Sequence, residues 1–276
     1  MLEFPAIDPA IFKIPEFSVL GMTLNLQLRW YSLAYIAGMV AVFLFFRRAA
    51  RRGRLAMSFE QIESVMIYGI LGMILGARLT YVFVYNFEYY INNLGEALHL
   101  WKGGLSFHGG LAGVGVGVWI YCRRHGVPFF NVVDHVSTIV PVGLALGRIT
   151  NFINGELWGR VTTVPWGMVF PGAGPLPRHP SQLYQSFFEG WVLLAIMLVM
   201  YRRNPKTGVL TGSFLIAYGV LRFFIEFFRE PDAQLGTVLG PFSMGQVLCA
   251  LMWIVGGFIV VWARSQPARP VGSSHA

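Results

Sequence analysis

The chain has 276 residues, 55% of them hydrophobic and 12% charged, with a formal net charge of +8 and a mean hydropathy of +0.57. The charged share is about half that of a soluble domain, so the composition excludes an ordinary soluble protein and predicts a membrane protein. The basic excess suits a location beside anionic lipid head groups, and no nucleic-acid partner is expected.

Seven apolar segments predict membrane-spanning helices, since a span needs about 20 mostly apolar residues. In chain order they are about 30–46, 61–85, 106–122, 131–153, 182–201, 209–228 and 243–263. The sequence therefore predicts an all-α integral membrane protein, with residues 1–276 forming a single polytopic membrane domain. The N-terminal stretch has acidic residues and prolines but no basic region before an apolar core, so no cleavable signal peptide is expected.

Basic residues near the span ends predict the orientation. Arginines and lysines are dense in the connections 47–54, 123–124 and 202–206 and in the C-terminal tail, and they are sparser in the other connections. Because basic residues concentrate on the cytoplasmic side, we expect the N-terminus outside and the C-terminus inside. Cys122 and Cys249 lie in apolar segments without paired spacing, which indicates buried thiols and neither a disulfide framework nor a metal site.

Two predicted outer segments are more than connections. Residues 86–105 mix aromatic and polar side chains, as is typical of a segment lying in the membrane interface. Residues 155–181 form a long loop with five prolines together with Trp158, Trp166 and Phe170. A loop of this length is usually functional or disordered, and its aromatic content favours a lid or arm at the level of the head groups.

Charged residues within apolar spans mark the candidate site, because a charge at membrane depth is costly and is retained where it has a partner or a task. Arg148 lies near the end of the fourth predicted span, and Arg222 and Glu226 lie in the sixth. Tyr218, Arg222 and Glu226 follow one another at intervals of four and therefore share a helix face. Arg148 and Asn151 share another face. The helical rise from the predicted inner ends places these groups in the outer-leaflet half.

Tyr31, Arg78 and His108 are expected at the same level on three further spans, so several spans contribute polar groups to one layer. Other interpretations stay open. Arg222 and Glu226 could form a structural ion pair, and Arg148 could extend to the outer interface. Arg78 could bind backbone carbonyls or a lipid phosphate, and His108 could be a core histidine or a base.

At the inner start of the fourth span, Asp134 and His135 are expected to act as a cap or as first-turn polar residues rather than in a site.

The polar residues belong to a longer pattern. Its core is Gly147-Arg148, Asn151-Phe152, Asn154, Glu156 and Gly159. It continues in Trp30-Tyr31, Phe107-His108-Gly109-Gly110-Leu111, His179-Pro180-Ser181-Gln182-Leu183-Tyr184, Tyr218-Gly219 with Arg222, Glu226-Phe227-Phe228-Arg229 and Ser243-Met244-Gly245-Gln246. This pattern resembles that of the bacterial prolipoprotein diacylglyceryl transferases, and the resemblance covers nearly the whole chain in order. Thr150 departs from it, standing where the family usually has a smaller residue.

The resemblance implies a reaction, a location and partners. The sn-1,2-diacylglyceryl group of phosphatidylglycerol would pass to the lipobox cysteine thiol of a prolipoprotein signal peptide, forming a thioether and releasing glycerol 1-phosphate in the first step of lipoprotein maturation. The implied fold has seven spans and a periplasmic head and arm in the bacterial inner membrane, with the active site toward the outer leaflet. No metal or dissociable cofactor is implied.

The resemblance also implies roles for individual residues. Arg148 and Arg222 would bind and stabilise the leaving phosphate, since arginine holds phosphate oxygens bidentately and stays charged in apolar surroundings. His108 would be the base that deprotonates the thiol, because the thiolate is the nucleophile. The remaining residues would bind substrate or orient the arginines: Tyr31, Arg78, Asn151, Asn154, Glu156, Gly159, Tyr218, Glu226 and Arg229.

Two other classes of protein fit this pattern less well. A transporter or channel for organic anions would place its site at the midplane between inverted repeats, whereas here the polar layer is expected toward the outer face and the halves show no internal repeat. A purely structural membrane subunit would not need ionised residues on several spans.

Overall fold

The computed structural model describes residues 2–13, 17–19, 22–24, 27–99, 103–230, 237–239 and 242–267. These ranges are mainly helical, as predicted. The α-helices are α1 (Trp30–Arg51), α2 (Phe59–Thr80), α3 (Phe87–Asn92), α4 (Phe107–His125), α5 (Phe129–Ile139), α6 (Pro141–Ile153), α7 (Ser181–Gln185), α8 (Leu193–Arg202), α9 (Val209–Ile225) and α10 (Met244–Ser265). π-helical segments cover Tyr81–Tyr85 and Ser186–Val192, and a 3-10 helix covers Leu94–Leu98.

Short antiparallel strand pairs, which the sequence did not predict, accompany the helices. They are β1 (Ala10–Lys13) with β4 (Gln27–Arg29), β2 (Phe17–Val19) with β3 (Met22–Leu24), and β5 (Thr237–Leu239) with β6 (Phe242–Ser243). Each strand has only two to four residues, so these pairs stabilise connecting segments and do not form a layer of β-sheet.

Four helical segments in the described residues are long and apolar enough to cross a membrane. They are Trp30–Arg51, Phe59–Tyr85, Ser181–Arg202 and Met244–Ser265, and the bent pair Phe129–Ile139 and Pro141–Ile153 adds a fifth if it forms one span. The predicted spans 106–122 and 209–228 correspond to α4 and α9. The hydropathy of α4 is lowered by its glycines and basic end, and α9 has only 17 residues. The protein is thus a multi-pass membrane protein, and the number seven stays a prediction.

The span predicted as continuous over 131–153 is broken, which corrects that prediction. Helix α5 ends at Ile139, α6 begins at Pro141, and the two axes differ by 42°. Proline has no N–H to donate to the preceding turn and its ring clashes there, so it starts a helix well and interrupts one in the middle.

The chain divides into two compact units. Unit 1 comprises Met1–Val42 and Val133–Ala276, and unit 2 comprises Phe43–Val132. Helix α1 begins in unit 1 and ends in unit 2, so the units are defined by packing and not by span boundaries.

Unit 2 is built on the packing of α2 against α4. A methyl group added at Gly72 or Gly113 would overlap the carbonyl oxygen of the other glycine, and one at Gly76 would overlap that of Gly109. The glycines of α4 therefore allow close backbone approach, as small residues do between membrane helices. Ser58 begins α2 with a capping box closed by Gln61, which satisfies N–H groups at its first turn.

Unit 1 places its polar site among α6, α9 and the π-helical segment Ser186–Val192. A methyl group at Gly190 would overlap Ala145 of α6, so these two helical segments lie in backbone contact. Asp134 is buried and its carboxylate accepts hydrogen bonds from the backbone N–H groups of Gly208 and Thr211 at 2.6 and 2.8 Å. The prediction of a cap or first-turn acid at the start of its own span is therefore wrong, because Asp134 lies in the middle of α5 and caps the first turn of α9.

The two predicted outer segments differ in structure. Residues 86–105 contain α3 and the 3-10 helix and expose Tyr89, Leu94 and Leu98, while Trp101 lies outside the described residues. Residues 155–181 have no helix before Ser181 and are ordered by bridges and by an aromatic cluster. That cluster joins Phe152, Met168 and Phe170 with Phe4 and Trp158.

Candidate functional site

The C-terminal end of α6 holds a hydrogen-bonded cluster of predicted site residues. Arg148 donates through Nη1 to Asn151 Oδ1 at 3.3 Å. The Asn151 amide donates to the Tyr31 hydroxyl at 3.3 Å and to Glu156 Oε1 at 2.8 Å, and Asn154 donates to the same Glu156 oxygen at 3.1 Å. The structure therefore brings all five residues together, with Asn151 buried at their centre.

The local backbone explains this arrangement. Arg148 and Asn151 are three residues apart on α6 and face the same side. Gly155 then has φ +66° in the left-handed region, which turns the chain back so that the Glu156 N–H donates to the Asn151 carbonyl at 3.1 Å. Leu157 also has a positive φ of 57°, a conformation that side chains other than glycine rarely adopt and that is often found near functional sites.

A second cluster surrounds Arg222 on α9. Its Nη2 lies 2.7 Å from Glu226 Oε2, and its Nη1 donates to Glu189 Oε1 at 3.3 Å. The relative exposure of the three residues is 8%, 7% and 1% in the order Arg222, Glu226 and Glu189. Ser243 Oγ donates to the second Glu226 oxygen at 3.1 Å. The predicted Arg222–Glu226 pair is confirmed, and its burial makes the loss of either partner costly.

Glu189 is a residue that the sequence analysis missed. It lies in the π-helical segment Ser186–Val192 and is the second carboxylate on Arg222. The available signal was an acidic residue inside the predicted span 182–201, which is the same criterion that identified Arg222. Short π-helical segments occur often at functional sites.

Tyr218 lies within electrostatic range of both clusters. It lies one turn before Arg222 on α9 and stacks on Phe214 with ring centroids 5.9 Å apart. The charges of Glu189, Arg222 and Arg148 all act on its hydroxyl. Because electrostatic effects inside a protein fall with distance, the two arginine clusters belong to one region of unit 1.

Gly159 and Arg229 meet where the loop 155–181 joins the end of α9. They form an antiparallel bridge, and the Gly159 N–H donates to the His179 carbonyl at 2.9 Å. A methyl group at Gly159 would overlap the Phe228 carbonyl and would lie 2.7 Å from His179 Cβ. Glycine is therefore required here by the close approach of two backbones.

Arg78 of unit 2 is held by backbone carbonyls. Its Nε donates to Ala97, its Nη1 to Gly103 and Gly104, and its Nη2 to Glu96 and His99, at 2.7–3.4 Å. These bonds use all five N–H groups that a guanidinium has. Of the two alternatives for Arg78, this geometry favours the carbonyl-binding one.

His108 lies in the first turn of α4, two residues after the N-cap Ser106, and is exposed. Its ring meets Phe107 edge to face with centroids 5.7 Å apart. His108 and Arg78 belong to unit 2, whereas the clusters around Arg148 and Arg222 belong to unit 1. Because His108 is exposed, the structure contradicts the alternative of a buried core histidine.

A second histidine, His179, lies in the outer loop of unit 1. One ring nitrogen lies 3.2 Å from the Tyr184 hydroxyl, which accepts a hydrogen bond from Trp166 Nε1 at 2.6 Å. Burial lowers the pKa of His179 below its ordinary value, because the charged form loses hydration. The His179 ring packs in the loop against the rings of Tyr184 and Phe228.

The histidine, cysteine and acidic side chains of the described residues do not form a metal site. Within the described ranges, no group of three or more histidine, cysteine, aspartate and glutamate side chains could hold a metal ion. Both cysteines are buried free thiols, as the sequence predicted.

The fold and the site define a class: a multi-pass helical membrane protein with arginine and carboxylate clusters buried among its apolar helices. Sequence comparison identifies the particular family. A family model described as prolipoprotein diacylglyceryl transferase matches residues 19–262. The chain belongs to this family and is a transferase of lipoprotein biosynthesis, as its resemblance to the family implied.

Individual relatives agree over almost their whole length. The chain is 44% identical to the phosphatidylglycerol–prolipoprotein diacylglyceryl transferase of Photobacterium profundum over 267 residues, which are 96% of this chain and 97% of the relative. It is 46% identical to the enzyme of the same name from Geobacter sulfurreducens over 269 residues, covering 98% and 100% of the two chains. The transporter and structural-subunit alternatives find no support in these comparisons.

Proposed function

We propose that this chain transfers the diacylglyceryl group of phosphatidylglycerol to the lipobox cysteine of a prolipoprotein signal peptide, at the clusters of unit 1. The observation that carries the placement is the state of Arg148. In the described part of the chain its guanidinium makes one hydrogen bond, through Nη1 to Asn151. The other N–H groups of this half-buried guanidinium have no partner among the described residues, which suits a phosphate ligand.

The reaction requires these residue types. The cysteine sulfur forms a bond to the glyceryl carbon while the bond from that carbon to the phosphate oxygen breaks, and glycerol 1-phosphate leaves with additional negative charge. Arg148 stabilises this charge by direct hydrogen bonds, which are strong when both partners are ionised. Arg222 contributes the N–H groups that Glu189 and Glu226 leave unengaged, and the two carboxylates fix its orientation.

The neighbouring polar residues hold the substrate and the arginines in place. Tyr31, Asn151, Asn154 and Glu156 form the network that orients Arg148, and Tyr218 lies on the same face of α9 as Arg222. The hydrogen bonds of this network all lie within unit 1.

Gly159 and Arg229 secure the outer loop at the end of α9, and in our proposal they hold it in position for substrate binding. Arg78 supports substrate binding through the segment whose carbonyls it binds, and not by contacting the phosphate. The carbonyl bonds would have to break before Arg78 could bind a phosphate oxygen.

His108 is our proposal for the base. The substrate thiol has a free pKa of about 8.5, so a base is needed to form thiolate efficiently at neutral pH. The proton passes from the thiol to the imidazole as the sulfur attacks. An exposed histidine at the start of α4 can exchange that proton with solvent afterwards.

The membrane arrangement is proposed from the sequence. We propose seven spans in the bacterial inner membrane, with the N-terminus and a periplasmic head and arm outside, the C-terminus inside, and the active site toward the outer leaflet. Basic connections support it. An impermeant thiol reagent added to intact cells should label a cysteine placed at Thr163 and not one placed at Ser58; the opposite pattern would invert the arrangement.

A direct assay tests the activity. Purified protein is incubated with phosphatidylglycerol and a peptide that carries a lipobox cysteine, and the peptide should gain the mass of one diacylglyceryl group. A peptide with serine in place of that cysteine is the control and should gain none. Absence of transfer to the cysteine peptide by protein that retains its fold would contradict the proposed function.

A further inference from the structure

The C-terminal end of α1 forms a basic cavity that the transfer reaction does not use. It has a volume of about 260 Å³ and is lined by Leu44, Arg47, Arg48, Arg51 and Arg52. The helix is apolar up to Phe46 and its arginines begin directly after. The cavity therefore lies at the boundary between the apolar part of the span and water.

The arginines are arranged by aromatic contacts and not by carboxylates. The guanidinium carbon of Arg47 lies 5.1 Å from the centre of the Phe59 ring and 5.4 Å from that of Phe43, and Arg51 lies 5.6 Å from the Phe59 ring. Among the described residues, the lining arginines have no ion pair with an acidic side chain. Within the described residues their charges are therefore uncompensated, although aromatic rings hold the side chains of Arg47 and Arg51 in place.

This arrangement distinguishes the cavity from the general basic excess of the connections. Basic residues at a cytoplasmic span end set topology by their number, which requires no cavity and no fixed orientation. Guanidinium groups stacked on an aromatic ring keep their N–H groups free at the edge, where planar bidentate contacts to phosphate form. Four such positive charges around one cavity repel one another, and a bound anion reduces that repulsion.

We propose that this cavity binds the phosphate group of an anionic ligand at the membrane boundary, with Arg47 and Arg51 as its oriented contacts. The ligand is an anionic lipid head group or a free phosphate, which share the recognised chemistry. Leu44 adds an apolar wall on the membrane side, which favours the lipid because its glyceryl and acyl parts continue into the apolar layer. None of the residues that line the cavity belongs to the clusters around Arg148 and Arg222.

Lipid titration of the purified full-length protein tests this proposal, with bound lipids counted by native mass spectrometry. The probes are phosphatidate and phosphatidylcholine, and inorganic phosphate is added as a competitor. Arg47→Gln/Arg51→Gln should bind phosphatidate at least about tenfold more weakly, because charge-assisted hydrogen bonds are lost. Phosphatidylcholine binding should not change. If inorganic phosphate displaces phosphatidate and binds as strongly as the lipid does, the ligand is free phosphate. That result would still support a phosphate site.

Two variants make the test specific. Arg202→Gln/Arg203→Gln removes an exposed basic pair at the end of α8 and should leave phosphatidate binding within about twofold, since dispersed surface charge is screened. Phe59→Leu keeps every charge but removes the ring, so it should weaken binding by a smaller factor than the double variant. Equal weakening by the α8 pair, or unchanged binding in the double variant, would overturn the proposal. Diacylglyceryl transfer in detergent should be unaffected and reports that each variant is folded.

Discussion

Arg148 and Arg78 are both arginines in apolar helices, and the structure uses them in opposite ways. Arg78 of unit 2 directs all five N–H groups at backbone carbonyls and is 6% exposed. Arg148 of unit 1 makes one hydrogen bond in the described part of the chain and is half-buried. Every N–H donor of Arg78 is thus engaged by a carbonyl of the protein. Among the described residues, Arg148 keeps N–H donors that are available to a ligand.

The difference shows that an arginine at membrane depth does not identify a phosphate site by itself. Its cost in an apolar environment can be met by carbonyls, by carboxylates or by a ligand, and the number of engaged N–H groups separates these cases. Arg222 is intermediate, because its guanidinium donates one hydrogen bond to Glu189 and forms an ion pair with Glu226, and both carboxylates are buried. We therefore expect Arg148 to be the main ligand of the phosphate and Arg222 to contribute less. We expect no phosphate contact from Arg78.

The largest expected effect concerns His108, the group of unit 2 to which we assign chemistry. His108→Asn should lower the rate of transfer by about 10²–10⁴-fold, the usual contribution of a general base, while phosphatidylglycerol binding changes little. Raising the pH should partly restore the rate, because the substrate thiol then ionises unaided. Transfer rates and lipid binding are measured for the same preparation.

His179→Asn is the matched control for that experiment, since its ring packs against Tyr184 and Phe228 in the outer loop and we assign it no proton transfer. It should keep most of the activity and the pH profile. Full activity of His108→Asn at neutral pH, or a loss explained wholly by weaker lipid binding, would remove His108 from the mechanism and leave the chemistry in unit 1.

The next effect concerns Arg222. Arg222→Lys keeps the charge but cannot form planar bidentate contacts while pairing with both carboxylates, so turnover should fall by roughly 10²–10³-fold, as on loss of a donor that stabilises developing charge. Arg178→Lys, which alters an arginine paired with Glu230 in the outer region, is the control and should remain active. Near-normal turnover of folded Arg222→Lys would reduce its cluster to a structural ion pair.

A smaller effect is expected for Glu189, which orients Arg222 without contacting substrate. Glu189→Gln should destabilise the fold by about 1–3 kcal/mol through loss of a charge-assisted bond, measured by thermal unfolding. Turnover should fall less than in Arg222→Lys, because Glu226 still pairs with the guanidinium at 2.7 Å. Glu60→Gln, an exposed acid at the start of α2, is the control. Unchanged stability and turnover in Glu189→Gln would contradict the positioning role.

Sequence patterns predicted those features that depend on neighbours along one helix. Apolar length placed the helical segments within a few residues of their observed ends, and spacing by four predicted the Arg222–Glu226 pair. The same holds for Arg148 and Asn151, which are three residues apart. Periodicity and length need no knowledge of the rest of the fold.

Contacts between distant segments could not be predicted. The Tyr31 hydroxyl contacts Asn151 across 120 positions of the chain. The carbonyls that bind Arg78 lie 18–26 residues later, in the 3-10 helix Leu94–Leu98 and in the segment after it. No local pattern indicates which backbone groups such a segment will present. Pro141 and Glu189, by contrast, were visible signals for the helix break and the second carboxylate.

One measurement tests the comparison most directly: Arg148→Lys and Arg78→Lys are assayed side by side for turnover and thermal unfolding. Lysine keeps the charge in both, so the variants differ only in what the lost donors were bound to. Arg148→Lys should lose turnover by roughly 10²–10³-fold and unfold near the parent temperature. Arg78→Lys should unfold at a lower temperature, because buried carbonyls lose their donors, and should keep the turnover of its folded fraction. The reverse pattern, or an equal loss of turnover in both, would contradict the assignment of the phosphate to Arg148.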